Sequence, residues 1–230
     1  MSRVLVISDT QIPFQHKDYL IFLKAVAKKY STDTTVHIGD EVDFHALGDW
    51  DHDPDGYSAG DELKAAIKEL KKLFKAFPKA KVCVSNHTSR PLRKGFKAGI
   101  PAAFFKHISE VLEAPKGWTW HDSFQIDNVI YQHGMGYSGP LGAKKASLDN
   151  SRSTVIGHLH SHAGIQYSAS PEFLIFGMNV GSLIDNKSYA FAYGRNFSAK
   201  PIISCGVVLE GIPLLVPMKL NKRGRWVGKL

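Results

Sequence analysis

The sequence contains few cysteines and no long apolar run. Its two cysteines among 230 residues, Cys83 and Cys205, lie in apolar stretches, which argues against a disulfide framework. No apolar stretch approaches the roughly 20 residues that span a bilayer. The N-terminus lacks the charged and apolar regions of a signal peptide. We therefore expect a cytoplasmic protein that makes no membrane contact.

Acidic residues are also scarce relative to basic ones. The chain has 21 Asp and Glu against 29 Lys and Arg, a formal net charge of +8. A basic balance favours anionic partners such as nucleotides, nucleic acid or phosphorylated substrates, although general solubility is an alternative explanation. Hydrophobic residues make up 43% of the chain, and we find no repeat or linker. We expect a single domain over residues 1–230.

The hydrophobic pattern changes along the chain. The first half alternates short apolar strands with helices, which we predict over residues 17–30 and 61–77, with shorter ones over 101–112 and 141–148. From residue 154 onward the sequence is mostly strand-like, with Gly and Pro at the turns. This order predicts a mixed sheet, or two packed sheets, with helices outside.

Polar side chains follow five of the predicted apolar strands. These residues are Asp9, Asp40, Asn86 with His87, His133 and His158. In α/β sheets, ligands bind outside the carboxyl ends of the strands, where side chains distant in sequence can meet. Taken singly, each residue could be a cap, a turn residue or a core histidine. Their joint occurrence indicates a site.

Spacing supports the same site. Asp9 and Gln11 are two residues apart, as are His158 and His160. In extended backbone, residues i and i+2 point the same way, so we expect each pair to face one ion. Mixed Asp, Asn, Gln and His donors suit divalent ions of intermediate hardness. The absence of cysteine argues against a structural zinc site.

Five sequence blocks resemble, in order and spacing, the motifs of the calcineurin-like metallophosphoesterases. The blocks are "DTQ" at Asp9, "GDEVD" at Gly39, "SNHT" at Ser85, "QHG" around His133 and "GHLH" at Gly157. Two longer stretches, "SDTQIPF" and "GDEVDFHAL", are similar to family members encoded by tailed bacteriophages, which would place the protein in a host cytoplasm. The resemblance implies an α/β fold of two mixed β-sheets packed face to face and flanked by helices, a four-layer sandwich.

The resemblance also implies two divalent metal ions. One ion would be held by Asp9, Gln11, Asp40 and His160, and the other by Asp40, Asn86, His133 and His158. We expect Mn²⁺, with Zn²⁺, Fe or Ni²⁺ as alternatives. Gln11 stands where the family pattern has histidine. Because a carboxamide oxygen is a harder and weaker donor than imidazole, we expect the first ion to bind more loosely.

The activity implied by the resemblance is hydrolysis of a phosphoric ester by metal-activated hydroxide. His87 would protonate the leaving group, Asp43 would orient His87, and Asn86 and Arg90 would contact the substrate. An alternative for Asp43 is a helix cap. We expect a phosphodiesterase that acts on nucleotides or nucleic acid. The alternatives are a phosphomonoesterase and a non-catalytic, metal-binding scaffold associated with nucleic acid.

Two basic stretches remain. "SRPLRKGFK", which starts at Ser89, could clamp a phosphate or follow a nucleic-acid backbone, or it could be a solvated helix start. The C-terminal "KLNKRGRWVGKL" places basic residues around Trp226. Such a tail can bind single strands, although a solubilising terminus is the simpler interpretation.

Overall fold

Eleven strands of the described chain form two β-sheets. The computed structural model describes residues 1–49, 54–185, 187–188 and 198–230. The strands are β1 (Arg3–Ile7), β2 (Thr34–His37), β3 (Ala80–Cys83), β4 (Trp118–His121), β5 (Ser123–Ile126), β6 (Val129–Gln132), β7 (Thr154–Ile156), β8 (Gly164–Ala169), β9 (Leu174–Asn179), β10 (Ser204–Leu209) and β11 (Ile212–Pro217).

Both sheets are mixed. The first has the order β11-β10-β1-β2-β3-β4, and the second β5-β6-β7-β9-β8. Strands β1 to β4 are parallel, whereas β10 and β11 add an antiparallel edge. In the second sheet β6, β7 and β9 are parallel, and β5 and β8 close the two edges antiparallel.

Helices lie on the outer faces. They are α1 (Tyr19–Tyr30), α2 (Ala59–Ala76), α3 (Arg90–Lys97), α4 (Ile108–Val111) and α5 (Gly142–Asp149), with short 3-10 helices at His45–Leu47 and Ala102–Phe104. Among the described residues, none of these helices combines the length and the apolar character needed to cross a membrane.

The alternation of side chains along β1 explains the layers. Val4 and Val6 belong to the cluster between the sheets, where they join Val155 of β7. Leu5 and Ile7 belong instead to the cluster beneath α1 and α2. Successive side chains point to opposite faces of a sheet, so a strand buried on both faces is apolar throughout. This explains why "VLVI" shows no polar alternation.

Helix α5 supplies the fourth layer. Its Ala143 and Ala146 pack on Ile156 of β7, on the face of the second sheet opposite the first. The order of layers is helices, sheet, sheet, helix. The predicted fold of two face-to-face mixed sheets with outer helices is confirmed.

Two predicted helices differ from the structure, and one strand was not predicted. Helix α2 begins at Ala59, two residues before its predicted start, and Ser58 caps it by accepting a 3.2 Å hydrogen bond from the Asp61 amide. The predicted helix over 101–112 is interrupted between Phe104 and Ile108, where His107 caps α4. Strand β4 had no counterpart among the predicted elements.

The basic C-terminal tail is docked on the start of α1. Arg225 Nε donates to Asp18 at 2.8 Å, and the Trp226 amide donates to the same carboxylate at 2.9 Å. The Trp226 ring packs edge-on against Phe22, with centroids 5.7 Å apart. The ring of Trp226 is therefore packed against the protein, which does not suit a stacking platform for a single strand, whereas the basic residues Lys222 and Arg223 beside it are exposed.

We predict that Asp18→Ala lowers the free energy of unfolding by about 1 kcal/mol at neutral pH, because it removes the ion pair with Arg225. The effect is small because Arg225 is half exposed and the ion pair is screened by solvent. Hydrogen bonds from Arg225 lower the pKa of Asp18 to about 2. A carboxyl with a lowered pKa stabilises the fold only while it is ionised. The difference in unfolding free energy between the wild type and Asp18→Ala should therefore be complete above about pH 4 and shrink as the pH falls toward 2.

Urea unfolding of the two proteins across this pH range measures the effect. Asp122→Ala, which truncates an exposed carboxylate, is the control and should leave stability nearly unchanged. An Asp18→Ala difference that stays constant down to the acid limit would contradict the ionic contribution.

Candidate metal centre

The candidate ligands lie where parallel strands end. Asp9 and Gln11 follow β1, Asp40 follows β2, Asn86 follows β3, His133 follows β6, and His158 and His160 follow β7. These strands come from both sheets, so the site lies at one edge of the sandwich. The carboxyl ends of parallel strands meet at such an edge, which is why segments so distant in sequence converge.

One group of ligand atoms consists of Asp40, His133 and His158, whose donor atoms all lie within 4.8 Å of one another. Asn86 joins it, with Oδ1 2.8 Å from His133 Nε2. The His133 Nδ1–H donates to the Ile38 carbonyl at 3.0 Å, and this fixes the ring so that Nε2 faces the group. The four side chains could hold one divalent ion.

A second group consists of Asp9, Asp40 and His160, also with donor atoms within 4.8 Å of one another. His160 Nε2 lies 3.0 Å from Asp9 Oδ1, and the Gln11 amide nitrogen lies 3.4 Å from the same Nε2. His160 Nε2 cannot donate to the Asp9 carboxylate and accept from the Gln11 amide at the same time. A cation would satisfy the carboxylate, the imidazole and a rotated Gln11 amide oxygen together.

Asp40 belongs to both groups and is fully buried. Its Oδ1 accepts from the His87 amide at 2.9 Å, whereas Oδ2 accepts no hydrogen bond among the described residues and lies 3.3 Å from His133 Nε2. The buried Gln11 Oε1 also has no donor within that part of the chain. Buried acceptors without donors are costly, and two of them in one cluster fit a site built for cations.

Positive charge compensates the buried carboxylates. Burial opposes ionisation of Asp40, but His133 and His87 hold the pKa of Asp40 well below its usual range. Burial likewise disfavours the charged form of His133, yet Asp40 outweighs it and raises the pKa of His133 to about 9. The centre therefore attracts cations, whether protons on imidazole or metal ions.

The backbone at the ligands is left-handed. Asp9 has φ 44°, Gln11 has φ 43°, Asp40 has φ 52° and His158 has φ 66°. The expectation that Asp9 and Gln11, and His158 and His160, lie in extended backbone is therefore wrong. The strained turns, and not the strand alternation, direct these side chains. Non-glycine residues in this region cost about 1–3 kcal/mol each and persist only where the surroundings hold them.

Hydrogen bonds between segments hold these turns. The Gln11 amide donates to the Asp40 carbonyl at 2.9 Å, and the Asp40 amide donates to Ser85 Oγ at 2.7 Å. The His158 amide donates to Asp9 Oδ2 at 3.0 Å. Each strained ligand is thereby tied to another ligand segment, so the centre forms as one unit.

The predicted proton donor lies beside the two groups. His87 Nδ1 is 2.5 Å from Asp43 Oδ1, and His87 Nε2 is 3.9 Å from Asp40 Oδ2. Burial lowers the pKa of His87, but Asp40 and Asp43 outweigh this and raise it. The Asp43 carboxylate is thus in direct contact with the ring of His87. Arg90 Nη1 donates to the carbonyls of Asp43 and Phe44 at 3.0 Å each, and only 12% of the Arg90 side chain is exposed.

Two buried residues beneath the centre were not found from the sequence. Glu41 accepts from Thr88 Oγ1 and from Trp120 Nε1, both at 2.9 Å, and burial raises the pKa of Glu41 to about 7. His37 is held by Thr10 at 3.1 Å, and burial lowers its pKa to about 4. The position of Glu41 inside "GDEVD" was the one sequence signal that could have pointed to it. Its partner Trp120 lies on strand β4, which was not predicted.

No protein-family model matches the chain, and neither does any curated protein sequence. Solved structures with a similar fold include Vps29 from Chaetomium thermophilum, 12% identical with a TM-score of 0.44 over 98% of this chain and 94% of that one. YfcE, a phosphoesterase from E. coli, is 13% identical with a TM-score of 0.42, over 90% and 88%. Vps29 from Entamoeba histolytica in complex with Zn²⁺ is 12% identical with a TM-score of 0.42, over 94% and 98%. Similarity this low assigns neither an activity nor a ligand to this chain.

We predict that Gly157→Ala weakens divalent-metal binding by about tenfold or more, because it displaces the candidate ligand Asp9. A Cβ at Gly157 would lie 2.4 Å from Asp9 Oδ2 and 2.1 Å from Ser8 Oγ. Gly157 does not have a left-handed φ, so the substitution tests space and not backbone strain.

Calorimetric titration of the apo protein with Mn²⁺ measures this effect. Gly164→Ala is the matched control, because a Cβ there meets no atom within 4 Å. Equal Mn²⁺ affinity in both variants would show that Asp9 is not a ligand or that its position is not fixed by Gly157.

Proposed function

We propose that the chain is a dinuclear metal-dependent phosphoesterase that cleaves phosphodiester bonds of nucleotides or nucleic acid. The observation that carries the proposal is the buried carboxylate of Asp40, which belongs to both ligand groups and lies 3.9 Å from His87. The proposal includes Mn²⁺ as the metal and the cytoplasm as the location.

One ion would be held by Asp9, Gln11, Asp40 and His160, and the other by Asp40, Asn86, His133 and His158. Two divalent ions bound in this way supply activation of water and neutralisation of charge on the phosphoryl oxygens. The contribution of the chain is to hold oxygen and imidazole donors at one edge and to bring an acid beside them.

His87 would act as the general acid. Its Nδ1 is engaged by Asp43, so Nε2 is the nitrogen left to protonate a departing alkoxide. About 19% of the His87 side chain is exposed, which leaves it accessible to a substrate. Asp40 and Asp43 raise the pKa of His87 despite its burial, which favours the protonated form that a proton donor requires.

Asn86 and Arg90, which lie near His87 in the sequence, would contact the substrate. Asn86 Oδ1 faces His133, so its amide nitrogen is the atom that can donate to a phosphoryl oxygen. Arg90 Nη2 lies 3.2 Å from His87 Nδ1 and places a positive charge next to the proton donor. That charge would favour an anionic leaving group at this end of the site.

Hydrolysis of bis-p-nitrophenyl phosphate with Mn²⁺ tests the function. We expect turnover of this diester and little turnover of p-nitrophenyl phosphate. The reverse preference would identify a phosphomonoesterase. Absence of turnover of both esters, with Mn²⁺ bound, would identify a scaffold.

A series of diesters that differ in their leaving groups tests the role of His87. His87→Ala should keep the Mn²⁺ content of the wild type and slow the cleavage of diesters with poor leaving groups by about 10²–10⁴. Diesters with good leaving groups need little proton donation and should be affected less. His121→Ala, at an exposed histidine, is the control. An equal loss with every leaving group would contradict the role of His87 as acid.

We also predict two unequal Mn²⁺ binding events in the wild type. The weaker event belongs to the group with Gln11, because an amide oxygen is a weaker donor than imidazole. Gln11→His should tighten that event and increase its preference for Zn²⁺ over Mn²⁺, without changing the other event. Two equally tight events in the wild type, measured by calorimetry, would count against this assignment.

A further inference from the structure

We propose that a surface formed by α3 and the segment after it binds single-stranded nucleic acid and leads it to the metal centre. We call this the α3 surface, and its members are Arg93, Phe96, Lys97, Phe104 and Lys106. As a statement about the substrate, the inference rests on the proposed function. The binding itself can be measured without catalysis.

The charge of this region is one-sided. Residues 89–107 contain five Lys and Arg and no Asp or Glu. Lys94 is paired with Asp49, whereas Arg93, Lys97 and Lys106 are exposed. Within the described part of the chain, no carboxylate forms an ion pair with Lys97 or Lys106. These side chains are therefore available to the phosphates of a nucleic-acid backbone.

Exposed phenylalanines alternate with these cations along the sequence. Phe96 is 51% exposed and Phe104 is 79% exposed. Phe96 is not loose, because its ring packs edge-on against Phe105 with centroids 6.2 Å apart. Phe105 in turn lies directly over Gly95, where a Cβ would be 2.0 Å from its ring. Basic side chains that alternate with exposed rings are typical of surfaces on which single-stranded bases stack.

An apolar cavity of about 290 Å³ adjoins the same surface. Its walls include Leu92 of α3 and the rings of Phe105, His107 and Trp120, with Lys106 beside it. A cavity with aromatic walls and a cationic neighbour suits a base that has left its stack, while its phosphate remains outside. A duplex keeps its bases stacked and paired, so this combination favours a single strand.

The α3 surface is joined to the candidate proton donor. Helix α3 begins at Arg90, and the Arg90 amide donates to the His87 carbonyl at 2.9 Å. Arg93 Nη2 donates to the Asn86 carbonyl at 2.9 Å. A strand bound along α3 would therefore approach the centre on the side of His87, where the leaving oxygen must be protonated.

Fluorescence anisotropy with labelled 20-nucleotide oligo(dT) and oligo(U), in EDTA and at several NaCl concentrations, tests the proposal. We expect salt-sensitive binding of at least one single strand, and weaker binding of a duplex of the same length. Phe96→Ala should weaken binding about fivefold or more, through loss of stacking. Lys97→Glu should weaken binding and reduce the salt slope by about 0.7 or more.

The chain offers matched controls. Tyr167 is 53% exposed, and its ring packs edge-on against Phe176 at 6.2 Å, so Tyr167→Ala removes a similar ring from another surface. Lys24→Glu reverses an exposed charge on α1. Both controls should bind as the wild type does.

The inference would be overturned by equal affinities in Phe96→Ala and Tyr167→Ala, by a duplex that binds as tightly as the single strand, or by the absence of salt-sensitive binding. Self-association through Phe96 and Phe104, or binding to anionic vesicles in place of oligonucleotides, would overturn it as well. If the wild type still hydrolyses bis-p-nitrophenyl phosphate in any of these cases, the inference fails and the proposed function stands.

Discussion

The structure depends on a carboxylate placed where a carboxylate is unfavourable. Asp40 is fully buried, and within the described residues its Oδ2 receives no hydrogen bond. Removing such a charge from water costs several kcal/mol unless opposite charge compensates it. The surrounding imidazoles of His133 and His87 supply part of that compensation. A cation beside Asp40 Oδ2, between the two groups of candidate ligands, would complete the compensation of this charge.

The same edge carries part of the backbone strain of the fold. Asp9, Asp40 and His158 are left-handed, and each is held by a hydrogen bond to another ligand segment. At about 1–3 kcal/mol each, these conformations use a large part of the net stability of a typical domain. They are sustained because β1, β2 and β7 are buried in the sandwich immediately before the turns. The rigid strands thus position side chains that the turns alone could not hold.

Much of this arrangement could be predicted from the sequence, because the ends of buried parallel strands must meet. That rule, applied to "VLVIS", "TVHIG" and "TVIG", is sufficient to bring Asp9, Asp40 and His158 to one edge. It does not give the local backbone, since the left-handed turns depend on hydrogen bonds between segments. It also could not find the partner of Glu41, because Trp120 lies on a strand recognised only by its pairing with β3. The packing of Trp226 was not predicted for a similar reason, since its hydrogen-bond partner Asp18 lies near the other end of the chain.

Basic residues are concentrated in two stretches of the chain. Residues 89–107 and residues 219–230 each contain five Lys and Arg and no Asp or Glu. The first stretch begins two residues after His87, and it alone has exposed phenylalanine rings among its cations. Concentrated charge next to an acid group has another consequence, because Arg90 and Arg93 hold the carbonyls of Phe44 and Asn86. The helix of the proposed substrate surface therefore also holds the segments on either side of His87, the candidate proton donor.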